Sequence, residues 1–253
     1  MQQSQMPEGN QMTNPIYAIG DLHGRVDEFD RALSLIEHDG GPDAEIVFLG
    51  DYVDRGPDSR GVIDCLIAGR DAGRRWVTLL GNHDRMFSWF LEDVPRHDPH
   101  MLVGYHWLHE RLGGVETLQS YDVFFDQQTR LEDLHAIARG AVPVAHRMFL
   151  RGLVAMHQTP EIAFVHAGIR PGIPLSEQRE NDLVWIRQSF HNHRGPHPKL
   201  IVHGHTPVDR ATHYGNRINL DSGAGYGRPI GVAVFEGRDC WLLTDKGRVA
   251  LLP

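Results

Sequence analysis

The chain has 253 residues, of which 41% are hydrophobic and 23% charged, which is the usage of a globular protein and not of a disordered one. Its formal net charge is -8 and no basic stripe is interleaved with aromatic residues, which argues against general nucleic-acid binding. No apolar run reaches the roughly eighteen residues that a membrane span needs. We therefore expect a cytoplasmic protein without nucleic-acid or membrane partners.

Short apolar runs alternate with longer amphipathic ones from Pro15 onward, a pattern typical of an α/β fold. Three strands are predicted at 16–19, 46–49 and 76–80, with helices from Val26 and Val62 between them. Such a βαβαβ unit predicts a parallel sheet. Residues 1–14 are polar and predict a disordered tail, which leaves 15–253 as one domain.

The segment from about Arg85 to Thr159 predicts a mostly helical insertion, with Ser120 to Phe125 as its one candidate strand. It should lie over the mouth of the site and carry specificity, the alternative being that it only completes the core. Strands resume at 162–165, 200–202, 218–220, 230–235, 240–244 and 248–252. Their short turns predict a second, partly antiparallel sheet.

Four glycine-containing segments each follow an apolar run: GDLHG at 20–24, GDYVDRG at 50–56, GNHD at 81–84 and HGHT at 203–206. A fifth, HAG at 166–168, has the same character. Turn chemistry alone would explain one such segment, but not five in this order. Because ligands of an open α/β sheet bind beyond the carboxyl ends of the strands, we expect these segments to meet in one crevice.

These segments supply six oxygen and nitrogen donors: Asp21, His23, Asp51, Asn82, His166 and His205. A set without thiolates suits manganese, iron or zinc in a two-metal site, in which one carboxylate can bridge the ions. Asp54 and His83 have no obvious metal duty, and a carboxylate that holds an imidazole is a familiar general-acid pair. Arg55 could bind phosphate with its planar fork or form a structural salt bridge. Phosphoester hydrolysis fits this arrangement best.

In these motifs the chain resembles the phosphoprotein phosphatases of the calcineurin-like metallophosphoesterases, of a bacterial or phage type. The resemblance implies a sandwich of two mixed β-sheets flanked by helices. It implies one metal ion on Asp21, His23 and Asp51, and a second on Asp51, Asn82, His166 and His205. Asp51 would bridge the two ions, which are expected to be Mn²⁺, with iron or zinc as alternatives, and which would activate a hydroxide.

The same resemblance makes His83 the proton donor, oriented by Asp54, and makes Arg55, Asn82 and His83 phosphate ligands. A further family arginine matches Arg187 in the segment LVWIR, although this side chain could equally lie on a helix surface. Pro207 stands where the broader superfamily often has a second metal-binding histidine. We interpret His203, two residues before His205, as a packing or hydrogen-bonding residue.

The leading hypothesis is a serine/threonine phosphoprotein phosphatase. The alternative is a symmetrical diadenosine-tetraphosphate hydrolase or another nucleotide phosphohydrolase, and a non-catalytic binding module is disfavoured because no motif residue is missing. Aromatic residues of the insertion predict core packing, with nucleobase stacking as the alternative: Phe87, Trp89, Phe90 and Trp107. Seven histidines outside the motifs are predicted to be solvated: His97, His100, His106, His109, His191, His193 and His197. Cys65 and Cys240 are predicted to be free thiols.

Overall fold

The computed structural model describes residues 14–253, so the tail predicted at 1–14 lies, except for its last residue, outside the described residues. The strands are β1 Ile16–Ile19, β2 Glu45–Phe48, β3 Trp76–Thr78, β4 Met156–Gln158, β5 Ile162–Val165, β6 Leu200–His203, β7 Thr212–His213, β8 Arg217–Asn219, β9 Val232–Glu236, β10 Asp239–Thr244 and β11 Gly247–Ala250. The helices are α1 Val26–Gly40, α2 Ser59–Asp71, α3 Asn82–Phe90, α4 Gly114–Ser120, α5 Leu131–Ala141, α6 Val144–Arg151, α7 Glu180–Trp185 and α8 Gln188–His191. Within the described range, no helix combines the length and apolarity needed to cross a bilayer.

The strands form two mixed sheets. The first has six strands in the order β11-β10-β9-β1-β2-β3, and the second has five in the order β4-β5-β6-β8-β7. Strands β1, β2 and β3 pair in parallel, as the βαβαβ pattern predicts. In the second sheet β5, β6 and β8 are parallel, and β4 and β7 are antiparallel edge strands. The predicted α/β fold with two mixed sheets flanked by helices is confirmed.

The three C-terminal strands belong to the first sheet, whereas their short turns predicted a place in the second. Strand β9 pairs antiparallel with β1, with Ala233 opposite Ala18. Residues 232–235 of β9 are buried, so this strand occupies an interior place in the sheet. An apolar strand pattern predicts burial but not which sheet accepts the strand, because that choice depends on pairing with a strand more than 200 residues away.

Strands β1, β2 and β9 of the first sheet are buried on both faces. Ile16 and Ala18 of β1 belong to the core between the two sheets, where Phe164 of β5 meets Phe235 of β9 edge to face at 5.7 Å. The alternating residues of β1 belong to a second core, shared with the helices. Full burial explains why the strands that lead to the motifs read as continuous apolar runs.

The regular structure of the insertion is largely helical, but residues 91–113 form no helix and strand β4 Met156–Gln158 lies within the predicted bounds. The strand predicted at Ser120 to Phe125 is absent. The backbone amides of Tyr121 and Val123 both donate to the carbonyl of Leu118, which turns the chain back onto the end of α4. The insertion also completes the core, because Trp107 is buried and stacks on Phe87 at 5.1 Å. This packing confirms the core interpretation of Trp107 over nucleobase stacking.

A buried ion pair connects the loop that contains Asp98 to helix α3, and a further hydrogen bond connects it to helix α7. Arg85 donates to Asp98 from Nε at 3.0 Å and from Nη2 at 2.7 Å, and both side chains are 2% exposed or less. The Asp98 carboxylate also accepts a hydrogen bond from the indole of Trp185 at 3.0 Å. Removal of one member of such a pair leaves an uncompensated charge in the interior.

We expect Asp98→Ala to lower the free energy of unfolding by about 3 kcal/mol, the low end for a buried pair, because Asn181 and Glu180 still contact Arg85. The matched control is Asp209→Ala, which removes the carboxylate of a surface pair with Arg228 and should leave stability unchanged within error. Urea unfolding followed by circular dichroism measures both. Equal midpoints for the two variants would show that the Arg85 pair does not hold the insertion.

Candidate metal centre

The five motif segments meet at one edge of the sandwich, as the strand-end pattern predicted. The amides of Leu22 and His23 donate to the carbonyl of Asp51 at 3.1 and 2.8 Å, and Gly204 N donates to the carbonyl of His166 at 2.8 Å. Six residues other than glycine have a positive φ in the described range, and five of them are motif residues: His23, Asp51, Asp54, Arg55 and His205. Backbone strain of this kind clusters at functional sites.

Asp84, the last residue of the GNHD segment, holds two of these loops together. Its carboxylate accepts hydrogen bonds from the amides of Asp51 and Tyr52, both at 2.8 Å, and from Gly81 N at 3.0 Å. Burial, followed by the nearby charge of Asp51, raises the pKa of Asp84 to about 8. The acidic residue of this motif therefore positions the loops and does not itself face the cluster of donors.

One group of donors surrounds the side-chain oxygen of Asn82. His166 Nε2 lies 3.0 Å and His205 Nδ1 2.8 Å from Asn82 Oδ1, and His166 Nε2 is 3.4 Å from Asp51 Oδ2. His166 Nδ1 donates to the carbonyl of Leu49 at 2.9 Å, so Nε2 presents a lone pair towards two oxygen atoms. Imidazole nitrogen, carboxylate oxygen and amide oxygen at this spacing form a donor set that would suit a divalent cation.

A second group of donors shares Asp51 with the first. The ligand atoms of His23, Asp51 and His83 lie within 4.8 Å of one another, as do those of Asp51, His166 and His205. His23 Nδ1 donates to the carbonyl of Val53 at 2.8 Å, which leaves Nε2 to face Asp51 Oδ2 at 3.7 Å. The two histidine and aspartate clusters are therefore joined through one carboxylate and have the donor chemistry to bind divalent metal ions.

Asp21 lies beside these clusters and not within either of them. Its carboxylate accepts a hydrogen bond from His205 N at 3.1 Å. Gly204 makes this contact possible, because a Cβ at that position would lie 2.0 Å from Asp21 Oδ1. The structure thus places the predicted ligand Asp21 at the site while His83, predicted as a proton donor, stands among the clustered donors.

The predicted pair of His83 and Asp54 is in direct contact. His83 Nδ1 donates to Asp54 Oδ2 at 2.6 Å, and the indole of Trp107 donates to the same oxygen at 2.9 Å. Thr117 donates from Oγ1 to Asp54 Oδ1 at 2.7 Å. Two residues of the insertion, Trp107 and Thr117, therefore hold the carboxylate that orients the His83 ring, and both lie outside the five motif segments.

Both predicted phosphate-binding arginines face the donor clusters. The guanidinium of Arg55 donates to the Nε2 atoms of His23 and, at 3.1 Å, of His83. Arg187 Nε donates to His205 Nε2 at 2.9 Å, while its side chain as a whole is exposed. Arg187 is thus part of the site and reaches solvent from it, unlike an arginine that merely lies on a helix surface.

Burial disfavours the charged form of the carboxyl groups of the site. Burial raises the pKa of Asp51 to about 7, and it raises the pKa of Asp21 and Asp54 well above the ordinary aspartate value. Burial lowers the pKa of His166 to about 4, so this imidazole is neutral at pH 7. Neutral imidazoles and buried carboxylates are the protonation states and surroundings that favour bound cations.

Asp221 is a buried site residue that the sequence reasoning missed as a candidate. It follows β8, and its charge is the largest influence after burial that raises the pKa of Asp21. Its position directly after an apolar strand was the same signal that identified the motifs. Trp107 and Thr117 had no such signal, because their contacts depend on how the insertion folds.

The remaining histidines fall into two groups. His203 is buried, donates to the carbonyl of Gly204 at 3.0 Å and accepts from Arg217 at 3.2 Å, so it is a packing and hydrogen-bonding residue as interpreted. The prediction of solvated side chains was wrong for His191 and His197. Both rings pack near Phe190, and burial lowers their pKa values to about 4.

Residues 14–229, well over half of the chain, match the family model of the calcineurin-like phosphoesterases. The chain belongs to this family, and its two histidine and aspartate clusters could hold metal ions. The curated relatives of this chain differ in their named activities.

Serine/threonine-protein phosphatase 1 of Salmonella typhimurium is 29% identical over 229 residues, which cover 87% of this chain and 92% of the relative. A symmetrical bis(5'-nucleosyl)-tetraphosphatase of Glaesserella parasuis is 30% identical over 155 residues, which cover 61% of this chain and 45% of the relative. The chain thus spans less than half the length of this tetraphosphatase. The solved structure of a cold-active protein-tyrosine phosphatase from a psychrophilic Shewanella species has a TM-score of 0.59 at 17% identity, covers 94% of this chain and 80% of its own, and shares the fold.

We expect Gly204→Ala to weaken divalent-metal binding by at least about tenfold, because the new methyl group displaces the Asp21 carboxylate. The control is Gly140→Ala, which adds the same methyl where no described atom lies within 4 Å. Isothermal titration with MnCl₂ measures the affinity directly, and thermal unfolding without metal checks that both variants fold. Unchanged affinity in Gly204→Ala would mean that the position of Asp21 does not affect metal binding.

Proposed function

We propose that this metallophosphoesterase hydrolyses phosphomonoesters, with phosphoserine and phosphothreonine residues of proteins as substrates. The observation that carries the proposal is the sharing of Asp51 between two donor clusters, beside the hydrogen-bonded pair of His83 and Asp54. Two ions, which we propose to be Mn²⁺ with iron or zinc as alternatives, would lower the pKa of a water molecule and stabilise negative charge on the phosphoryl oxygens. Their proposed ligands are Asp21, His23, Asp51, Asn82, His166 and His205.

The chain's own residues would bind the phosphate and supply the proton. Arg55 and Arg187 present guanidinium groups at the two clusters, where their planar forks match phosphate oxygens. Asn82 and His83 begin α3, so they lie at the positive end of its dipole, which favours a bound phosphate. His83 is held through Nδ1 by Asp54, and its Nε2 accepts from Arg55 in this structure. We propose that Arg55 turns to the phosphate and that the protonated ring then gives a proton from Nε2 to the departing oxygen of the ester.

The protein substrate is supported by the extent of the likeness to the Salmonella phosphatase, which covers nearly the whole of both chains. A second candidate is hydrolysis of symmetrical dinucleoside tetraphosphates. It is supported by a tetraphosphatase of Thioalkalivibrio sulfidiphilus, which is 41% identical over 166 residues, although these are only 48% of its length. The two candidates share the metal ligands, so the substrate itself must discriminate them.

We further propose that the enzyme works in the cytoplasm. Cys65 and Cys240 are both free thiols, as the sequence predicted, and Cys240 is buried. Free thiols are the usual state of cysteine in a reducing compartment. Fractionation of cells with an antibody to the protein tests this location.

We expect His83→Ala to reduce kcat for phenyl phosphate by about 10³-fold and to reduce kcat for p-nitrophenyl phosphate much less. The nitrophenolate ion is a weak base that leaves without a proton, whereas phenolate needs the proton that His83 supplies. Asp54→Asn should follow the same leaving-group pattern with a smaller loss. Equal losses on both esters would indicate that His83 acts in binding and not as the proton donor.

A direct substrate comparison tests the protein-phosphatase proposal. With Mn²⁺ present, we expect kcat/KM for a phosphothreonine peptide to exceed that for diadenosine tetraphosphate, measured by release of phosphate and of ADP respectively. Asp51→Asn is the control and should abolish both activities, because it replaces the carboxylate that the two clusters share with a neutral amide. A clear preference for the dinucleotide would favour the second candidate.

A further inference from the structure

A cavity of about 390 Å³ opens beside the donor clusters, between the insertion and the end of α7. Its apolar and aromatic lining comes from His100, Met101, Leu102, Tyr105, Leu112 and Trp185, and Arg187 closes it on the side of the site. Arg187 also donates to His205, and the Trp185 ring lies 5.7 Å from the His205 ring. The cavity is therefore adjacent to the place where we propose that phosphate binds.

The walls of this cavity are held in place by polar contacts behind them. His100 stacks on Trp185 with 6.0 Å between ring centres, and Asp98 accepts hydrogen bonds from the backbone amide of His100 and from the Trp185 indole. Tyr105 stacks on His109 at 3.8 Å. Leu102, by contrast, is 67% exposed and offers its side chain to an incoming group.

The charge of the lining selects among possible occupants. Arg187 is the one residue of this lining with a permanent charge, and it is already directed towards the site. A dinucleoside tetraphosphate would bring further phosphate groups past this wall, and they would lack cationic partners in the lining. An uncharged apolar or aromatic side chain meets no such cost and gains from burial of its surface.

We propose that this cavity, named here the Arg187 cavity, binds an apolar or aromatic side chain adjacent to the phosphorylated residue of a peptide substrate. The inference rests on the proposed function, because it takes a phosphopeptide as the substrate. It makes the insertion the source of sequence preference, through Leu102 and Tyr105 above all.

Two phosphothreonine peptides test this inference, one with phenylalanine on both sides of the phosphothreonine and one with alanine there. We expect the wild-type enzyme to have about a tenfold lower KM for the phenylalanine peptide, which is the gain from partial burial of one aromatic ring. Leu102→Ala and Tyr105→Ala should reduce this ratio to about threefold or less. The control is Leu131→Ala, a similarly exposed leucine that lines a different cavity, which should keep the tenfold ratio.

Binding of the two labelled peptides to the His83→Ala variant, followed by fluorescence anisotropy, separates the inference from the proposed function. If the variant prefers the phenylalanine peptide but the wild-type enzyme releases phosphate from neither peptide, the result would contradict the proposed function and support the cavity. Equal affinities for the two peptides would overturn the inference. It would also be overturned if Leu102→Ala raised KM for diadenosine tetraphosphate and left the peptide constants unchanged, because the cavity would then bind a nucleobase.

Discussion

The position of the Asp51 carboxylate is the constraint on which the rest of the site depends. Its Oδ1 accepts a hydrogen bond from His83 N at 2.9 Å, and its Oδ2 faces His23 and His166. The backbone of the same residue joins the loop after β1, and its amide is held by Asp84. A single residue at the end of β2 therefore ties together the loops after β1, β2 and β3 and the histidine that follows β5.

This arrangement has a cost that the surrounding core must offset. Asp51, His23 and His205 have left-handed backbone conformations, which are unfavourable for residues with a side chain. Buried carboxyl groups add a further cost, because burial disfavours their charged form. The core on both sides of β1, β2 and β9 and the hydrogen bonds that backbone amides donate to Asp84 keep the loops in this geometry. Bound cations would relieve the electrostatic part of the cost, which couples metal binding to the stability of the site.

Much of the fold and of the site could be predicted from the sequence, for reasons that are local. Apolar runs identify β1, β2 and β3, and parallel strands bring the residues that follow them to the same edge. The sequence could not predict that β9 pairs with β1, because the pattern of β9 would suit either sheet. The role of Trp107 in the site could not be predicted either, because its hydrogen bond to Asp54 joins residues 53 positions apart in the sequence. His191 and His197 lie in a polar segment that reads as solvated, and only the packing around Phe190 reveals their burial.

The sandwich provides the donor clusters, and the insertion provides most of the wall beside them. This difference explains why the motifs predict the chemistry of the site better than they predict its substrate. The donor clusters come from the loops of the two sheets, and the curated relatives of this chain carry different named activities. The insertion contributes the residues that fix Asp54 and most of the wall beside Arg187. Because Arg85 and Asp98 fasten that wall to α3, which begins with Asn82 and His83, hydrogen bonds connect the Arg187 cavity to the helix that carries two residues of the site. We therefore expect a change of substrate preference to need substitutions in the insertion, while the loops at the strand ends stay the same.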